Sequence, residues 1–119
     1  MDISVKKPMS TNLVTDAHDL KLRLEWGHPA FTIIDVRDRQ TYNQGHISGA
    51  IPFPLDELAK RAKSSLHTER HIYVYGTNDE QSASAAQTLK AAGFAEVSPI
   101  QGGLAGWKAI GGATEGIGA

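Results

Sequence analysis

Residues 71–94 read HIYVY (71–75), GTNDEQ (76–81) and SASAAQTLKAAGF (82–94). Ile72, Tyr73, Val74 and Tyr75 form a short apolar run of β-branched and aromatic residues, which predicts a buried strand. After the turn at 76–81, Ala83, Ala86, Leu89 and Lys90 recur at helical spacing, and Ala85 and Ala92 widen the stripe. Gly93 is placed to close that helix as a C′ residue. A strand that turns into a helix aims the helix's first backbone N–H groups at one spot. Those groups lack intrahelical partners and the macrodipole adds positive potential, so the spot is suited to an anion. Enzymes with this geometry often put a thiolate at the strand end, where the dipole lowers its pKa. Here the strand runs into Gly76, and the chain has no cysteine. The turn carries Asp79 and Glu80 and no basic residue. It joins the backbone of an anion cradle to acidic side chains.

At 119 residues the chain is sized for one domain with a real core. Its net charge of −1 gives no strong field toward nucleic acid or an anionic membrane. Basic clusters interleaved with aromatics are absent as well, so no nucleic-acid role is expected. Without cysteine the chain forms no disulfide, no thiolate metal site and no persulfide of its own. The five histidines are scattered, with no H-x-x-x-H or similar ligand spacing, and neither a metal nor a cofactor is expected. No apolar run approaches the roughly 20 residues that span a bilayer. MDISVKKPMST has no apolar h-region, so it is not read as a secretory signal, and the expected location is the cytoplasm. The chain is also compatible with being one domain of a longer protein.

Around the central stretch, apolar segments alternate in period. Residues 1–11 are expected to be a loose arm, 12–110 the domain, and 111–119 a Gly-rich tail that frays. Leu13 and Val14 are a short strand candidate. Thr15 or Asp16 is placed to cap a helix carrying Ala17, Leu20 and Leu24, which ends at Trp26-Gly27-His28-Pro29. FTIIDV (31–36) is a second buried strand with Asp35 near its end, followed by a short helical stretch through Tyr42. Residues 45–50 (GHISGA) read as a connector into Ile51-Pro52-Phe53-Pro54. Leu55, Leu58, Ala59 and Ala62 mark an amphipathic helix, with Asp56 and Glu57 in its first turn and Lys60, Arg61 and Lys63 in its last. Val97 to Ile100 is a short final strand. Gly102-Gly103 leads into a closing helix with Leu104, Trp107 and Ile110. Strands alternating with helices predict an α/β domain with a mainly parallel sheet and helices on both faces. In such sheets sites lie beyond the carboxyl ends of the strands, where Asp35 and the 76–81 turn both fall.

From about Val14 to Trp107 the chain resembles a single rhodanese-like (sulfurtransferase homology) domain. Asp35-Val36-Arg37 is similar to the family's D-V-R, and residues 45–50 to its G-H-I-x-G-A. Tyr73-Val74-Tyr75 matches the strand entering the family's active loop. Ser82, Ala85, Ala86, Leu89, Gly93 and Phe94 match the helix that follows, and Gly102-Gly103 with Trp107 match the terminal G-G-x-x-x-W. The resemblance implies a five-stranded, mainly parallel sheet. It also implies, in active members, a C-x-x-G-x-R loop whose cysteine carries sulfane sulfur as a persulfide from a donor such as thiosulfate to a thiophilic acceptor. Related phosphatases use a loop one residue longer and also need the cysteine.

This chain keeps the loop length but departs at three positions: Gly76 for the cysteine, Asp79 for the glycine and Gln81 for the basic residue. The loop's formal side-chain charge goes from about +1 in the family pattern to −2 here, from Asp79 and Glu80. At an effective dielectric of about 20, charges roughly 5 Å apart interact by about 3 kcal/mol, which works against thiosulfate or phosphate. Three altered positions read as a natural loss of the activity. Gly76, Thr77, Asn78, Asp79, Glu80 and Gln81 are then a vestigial active-site loop with no catalytic residue.

Asp35, Arg37, His46 and Ser82 are the expected loop-supporting residues. Asp35 and Arg37 are read as an ion pair tying strand ends together, and His46 as bonded to nearby backbone rather than as a general base. Ser82 is read as the N-cap of the helix after the loop rather than as a nucleophile. The function expected is that of an inactive rhodanese-like module that binds an unknown protein partner or regulates one. The alternatives are residual thiosulfate sulfurtransferase activity and sensing of a small ligand by the 76–81 loop.

Overall fold

A computed structural model describes Ala17, Leu20, Lys21 and residues 31–118. The expectations placed on Leu13, Val14, Thr15, Asp16, Leu24 and residues 26–29 lie outside these. In chain order the elements are β1 (Phe31–Asp35), α1 (Arg39–Gln44), β2 (His46–Ile47), β3 (Ile51–Pro52), a 3-10 turn (Leu55–Glu57) and α2 (Leu58–Ser65). They continue with β4 (His71–Tyr75), α3 (Asp79–Ala91), β5 (Val97–Pro99), α4 (Gly103–Ala109) and β6 (Thr114–Glu115).

Among the described residues the main sheet has four strands in the order β3-β1-β4-β5, all parallel. β1 and β4 form its centre, in register from Phe31 opposite His71 to Asp35 opposite Tyr75. Parallel central strands are covered on both faces, so they read as continuous apolar runs while their side chains still alternate. Ile34, Ile72 and Val74 join one core with Leu58 and Ala62 of α2 and with Ala85, Ala86 and Leu89 of α3. Ile33, Tyr73 and Tyr75 join the other with Trp107 of α4 and with Ala17 and Leu20, which are helical. Helices thus lie on both faces of the sheet. α3 ends as its sequence indicates: Gly93 takes φ 107°, and the Phe94 N–H reaches back to the Leu89 carbonyl at 3.1 Å.

Two expectations about local structure are corrected. The segment from Leu55 onward is not one α-helix, because its first turn, Leu55–Glu57, is 3-10. The tail does not fray. β6 pairs antiparallel with β2, Glu115 opposite His46, and the N–H groups of Ile117 and Gly118 donate to Asn43 and Gln44 carbonyls at 2.9 and 2.8 Å. The Trp107 indole N–H donates to the Ala113 carbonyl at 2.7 Å. Gly112 packs against that ring so closely that a Cβ there would lie 2.1 Å from Trp107 Cε2. The glycines let the tail lie flat on Trp107 and strap α4 to β2.

The strap carries a pH dependence. The Gly49 N–H donates to Glu115 Oε1 at 3.2 Å, and His46 Nε2 lies 3.5 Å from the same oxygen. The Gly49 hydrogen bond is the main cause that holds Glu115 below its ordinary value near 4.5. A carboxylate with a depressed pKa contributes fully above its unfolded value, and the contribution is lost as pH falls through the folded value. Amide exchange at Gly49 and Ile117 is therefore expected to accelerate once pH drops below about 4.5, beyond the intrinsic trend. In Glu115→Gln, which keeps an acceptor but does not titrate, that acceleration is expected to vanish. An unchanged profile in the variant would contradict this.

Candidate functional site

The site is built where β1 and β4 end together. Beyond Asp35 and Tyr75 the ladder continues through the Val36 N–H to the Tyr75 carbonyl at 3.0 Å, and the chain then enters the loop at Gly76. α3 begins earlier than expected. Asp79–Gln81 are already helical, and the cap is Asn78, whose side chain accepts from the Gln81 N–H at 2.8 Å. The open six-residue turn reduces to Gly76, Thr77 and the cap.

Ser82 is accordingly not the cap, which corrects its expected role. It lies one turn inside α3, buried. Its hydroxyl accepts from the Gly76 N–H at 2.9 Å and donates to the Asn78 carbonyl at 3.1 Å. The physical reason lies in the neighbours. Asn78 is followed by Asp79 and Glu80, which favour the positive end of a helix, so the helix starts there.

Gln81 has the decisive position. Its side-chain oxygen accepts from the Thr77 N–H at 2.7 Å, so the amide side chain folds back across the mouth of the loop. Built onto Gly76, a Cβ would lie 2.4 Å from Gln81 Oε1, 2.8 Å from its Cγ and 2.9 Å from its Cβ. The space for any side chain at position 76 is thus filled by residue 81. Gly76 does not have positive φ, so the glycine answers to this packing and not to backbone strain. The N–H groups of Gly76, Thr77, Gln81 and Ser82 all bond within the chain, to Ser82 Oγ, Gln81 Oε1, Asn78 Oδ1 and the Asn78 carbonyl. These four donors of the cradle are spent on the chain's own oxygens. Asp79 adds another: its Oδ1 accepts from the Gly102 N–H at 2.9 Å and ties the start of α3 to the turn before α4.

Beneath the loop lies a buried polar node. Asp35 is fully buried and holds Arg37, whose Nη2 donates to Oδ2 at 2.6 Å and whose Nε lies 3.0 Å from Oδ1. Nη2 also donates to the Gly45 carbonyl at 2.7 Å. The guanidinium sits 5.4 Å from the centroid of the Tyr75 ring. The Tyr75 hydroxyl accepts from the Ile47 N–H at 3.0 Å and lies in the field of the Asp35 carboxylate. Burial, with the charge of Asp35 second, pushes the Tyr75 phenol far above its ordinary value, so it stays a neutral donor. The node joins β1, β4 and β2 at the carboxyl end of the sheet. Tyr75 was invisible as a site residue in the sequence, where it read only as strand core.

His46 belongs to the strap. Its Nδ1 lies 2.7 Å from the Tyr42 carbonyl, its ring stacks on Tyr42 with centroids 3.7 Å apart, and Nε2 faces Glu115. None of these partners is in the loop. Among the described residues no three His, Asp or Glu side chains are grouped to hold a metal ion, and no helix is long and apolar enough to cross a membrane.

The model of the rhodanese-like domain family matches residues 16–110. The uncharacterized protein YqhL of Bacillus subtilis is 37% identical over 81 residues, covering 68% of this chain and 64% of its own length. The thiosulfate sulfurtransferase GlpE of Coxiella burnetii is 35% identical over 77 residues, covering 65% of this chain and 71% of its own. Among solved structures, the rhodanese-like domain of the Anabaena protein Alr3790 superposes with a TM-score of 0.86 at 60% identity, over 91% of this chain and 82% of that one. The chain spans just under two thirds of YqhL, and 42% of a second Bacillus subtilis relative, a putative sulfur carrier protein.

Proposed function

The chain belongs to the rhodanese-like domain family, and from that membership we propose that it is a non-catalytic member that acts in the cytoplasm as a protein-binding module, using the face that carries Gly76–Gln81. One observation carries the reading: the Gln81 side chain occupies the space that a side chain at position 76 would need. A thiol lost by one substitution would leave a void and a set of unpaired N–H groups. Here the void is filled and the N–H groups of Gly76 and Thr77 have acceptors, which supports a loop that has settled into a closed form. The sulfane-sulfur chemistry of the family also has no nucleophile to run on, since the chain contains no cysteine. The remaining scaffold, with Asp79 and Glu80 exposed beside the loop, is suited to contact with another molecule rather than to turnover.

The reading is tested by following the backbone amides of residues 76–82 while thiosulfate is added to the isotope-labelled chain. No saturable shift is expected, because the N–H groups of Gly76, Thr77, Gln81 and Ser82 already have acceptors within the chain and the two carboxylates oppose an anion. Saturable shifts confined to those amides would contradict it and would favour small-anion sensing instead.

A further inference from the structure

Resting on the reading of the loop face as a binding face, we propose that the groove beside the loop receives the side chain of a lysine or arginine from a partner protein. The groove has a volume of about 140 Å³ and is lined by Asp79, Ser82, Ala83, Pro99, Ile100 and Gln101. That volume suits one side chain and is too small for a nucleotide-sized ligand. Its lining is largely apolar: exposed Ala83 from α3 on one side, over a floor of buried Pro99, which ends β5, and Ile100 just after it. The Ser82 hydroxyl contributes little, because both of its hydrogen bonds are made inside the chain.

Asp79 is the charged group on the rim. The Gly102 N–H holds its Oδ1 in place at 2.9 Å, which fixes the carboxylate against the groove and leaves Oδ2 unengaged. No basic residue lines the groove. Glu80, exposed beside Asp79, adds a second negative charge. An anionic ligand is repelled there. A purely apolar side chain would desolvate the carboxylate without repaying it. A basic side chain satisfies both parts, its methylene stem lying against Ala83 over the Pro99 floor and its cationic head reaching Asp79.

The test uses the full isotope-labelled chain at low salt and two short peptides that differ only at one central residue, lysine or norleucine. The lysine peptide is expected to give saturable shifts at Asp79, Ala83, Ile100 and Gln101, and the norleucine peptide none. Asp79→Asn, which keeps an acceptor for the Gly102 N–H, is expected to weaken the lysine peptide about tenfold or more. Raising salt toward about 200 mM is expected to weaken it as well. Equal binding of the two peptides, an unaffected Asp79→Asn, or no shift at these residues would overturn the assignment. Free lysine amide binding as tightly as the peptide would overturn the choice of a protein partner. These outcomes separate from the reading beneath them: turnover of thiosulfate by the natural chain would remove the non-catalytic reading, whereas absent peptide binding without turnover would remove only the basic partner.

Discussion

Gly76→Cys alone is expected to leave the chain without sulfur transfer, although it restores the one atom the chemistry requires. The new Cβ would meet Gln81 Oε1 at 2.4 Å and Gln81 Cβ at 2.9 Å. The far end of the glutamine can swing away, but its Cβ moves only with the backbone of α3. Displacing the side chain also removes the acceptor of the Thr77 N–H. Together these cost about 1–3 kcal/mol in stability. The thiol would emerge in a loop bearing Asp79 and Glu80, which opposes both its ionisation and the approach of thiosulfate. The triple variant Gly76→Cys, Asp79→Gly, Gln81→Arg takes the amide oxygen away from the new thiol, leaves the residue-81 Cβ contact to be relieved by a shift at the start of α3, removes one carboxylate and adds a cation. At about 3 kcal/mol for each charge interaction near 5 Å, it is expected to exceed the single variant by more than about a hundredfold. Persulfide formation detected by mass spectrometry, with thiocyanate release as the rate, reads both. A single variant as active as the triple would show that Gln81 does not block the site.

Asp35→Ala is expected to be the most damaging single change to stability, about 3–5 kcal/mol in a urea titration. Asp35 is fully buried, and Arg37 beside it is nearly so. Removing the carboxylate strands a guanidinium whose Nε and Nη2 both donate to it. An unpaired buried charge is far worse than no charge, so Asp35→Leu combined with Arg37→Met is expected to lose less than Asp35→Ala by itself. The Gly45 carbonyl still loses its donor in the double variant, which sets a residual cost of about 1 kcal/mol. A loss below about 1 kcal/mol for Asp35→Ala would mean that the node does not hold the strand ends together.

Much of the fold was legible because it rests on local pattern. HIYVY and FTIID are apolar runs of strand length, and the alanine-rich stripe of 83–92 is helical in period. What escaped depended on contacts that no period encodes. β2 and β6 have two residues each, too short to alternate, and the glycines around β6 read as a frayed end. Their purpose appears only against Trp107, whose ring excludes a Cβ at Gly112. In the loop, the cap expected from the sequence is Ser82, and the structure puts it at Asn78, a residue type equally suited to capping. The choice went to Asn78 because Asp79 and Glu80 follow it and because the Ser82 hydroxyl is needed by the Gly76 N–H. Gln81 could be recognised in the sequence as a missing cation. That it stands in for the missing side chain of residue 76 follows only from three-dimensional proximity. Asp35 and Arg37 were legible as a pair, but their third member, Tyr75, was hidden by its place in the core stripe.

The most direct measurement is thiocyanate formation by the purified natural chain given thiosulfate and cyanide, with the triple variant run beside it as the working control. The natural chain is expected to stay at the protein-free blank while the variant rises above it. Turnover by the natural chain, proportional to its concentration and retained through repurification, would contradict a closed and non-catalytic loop.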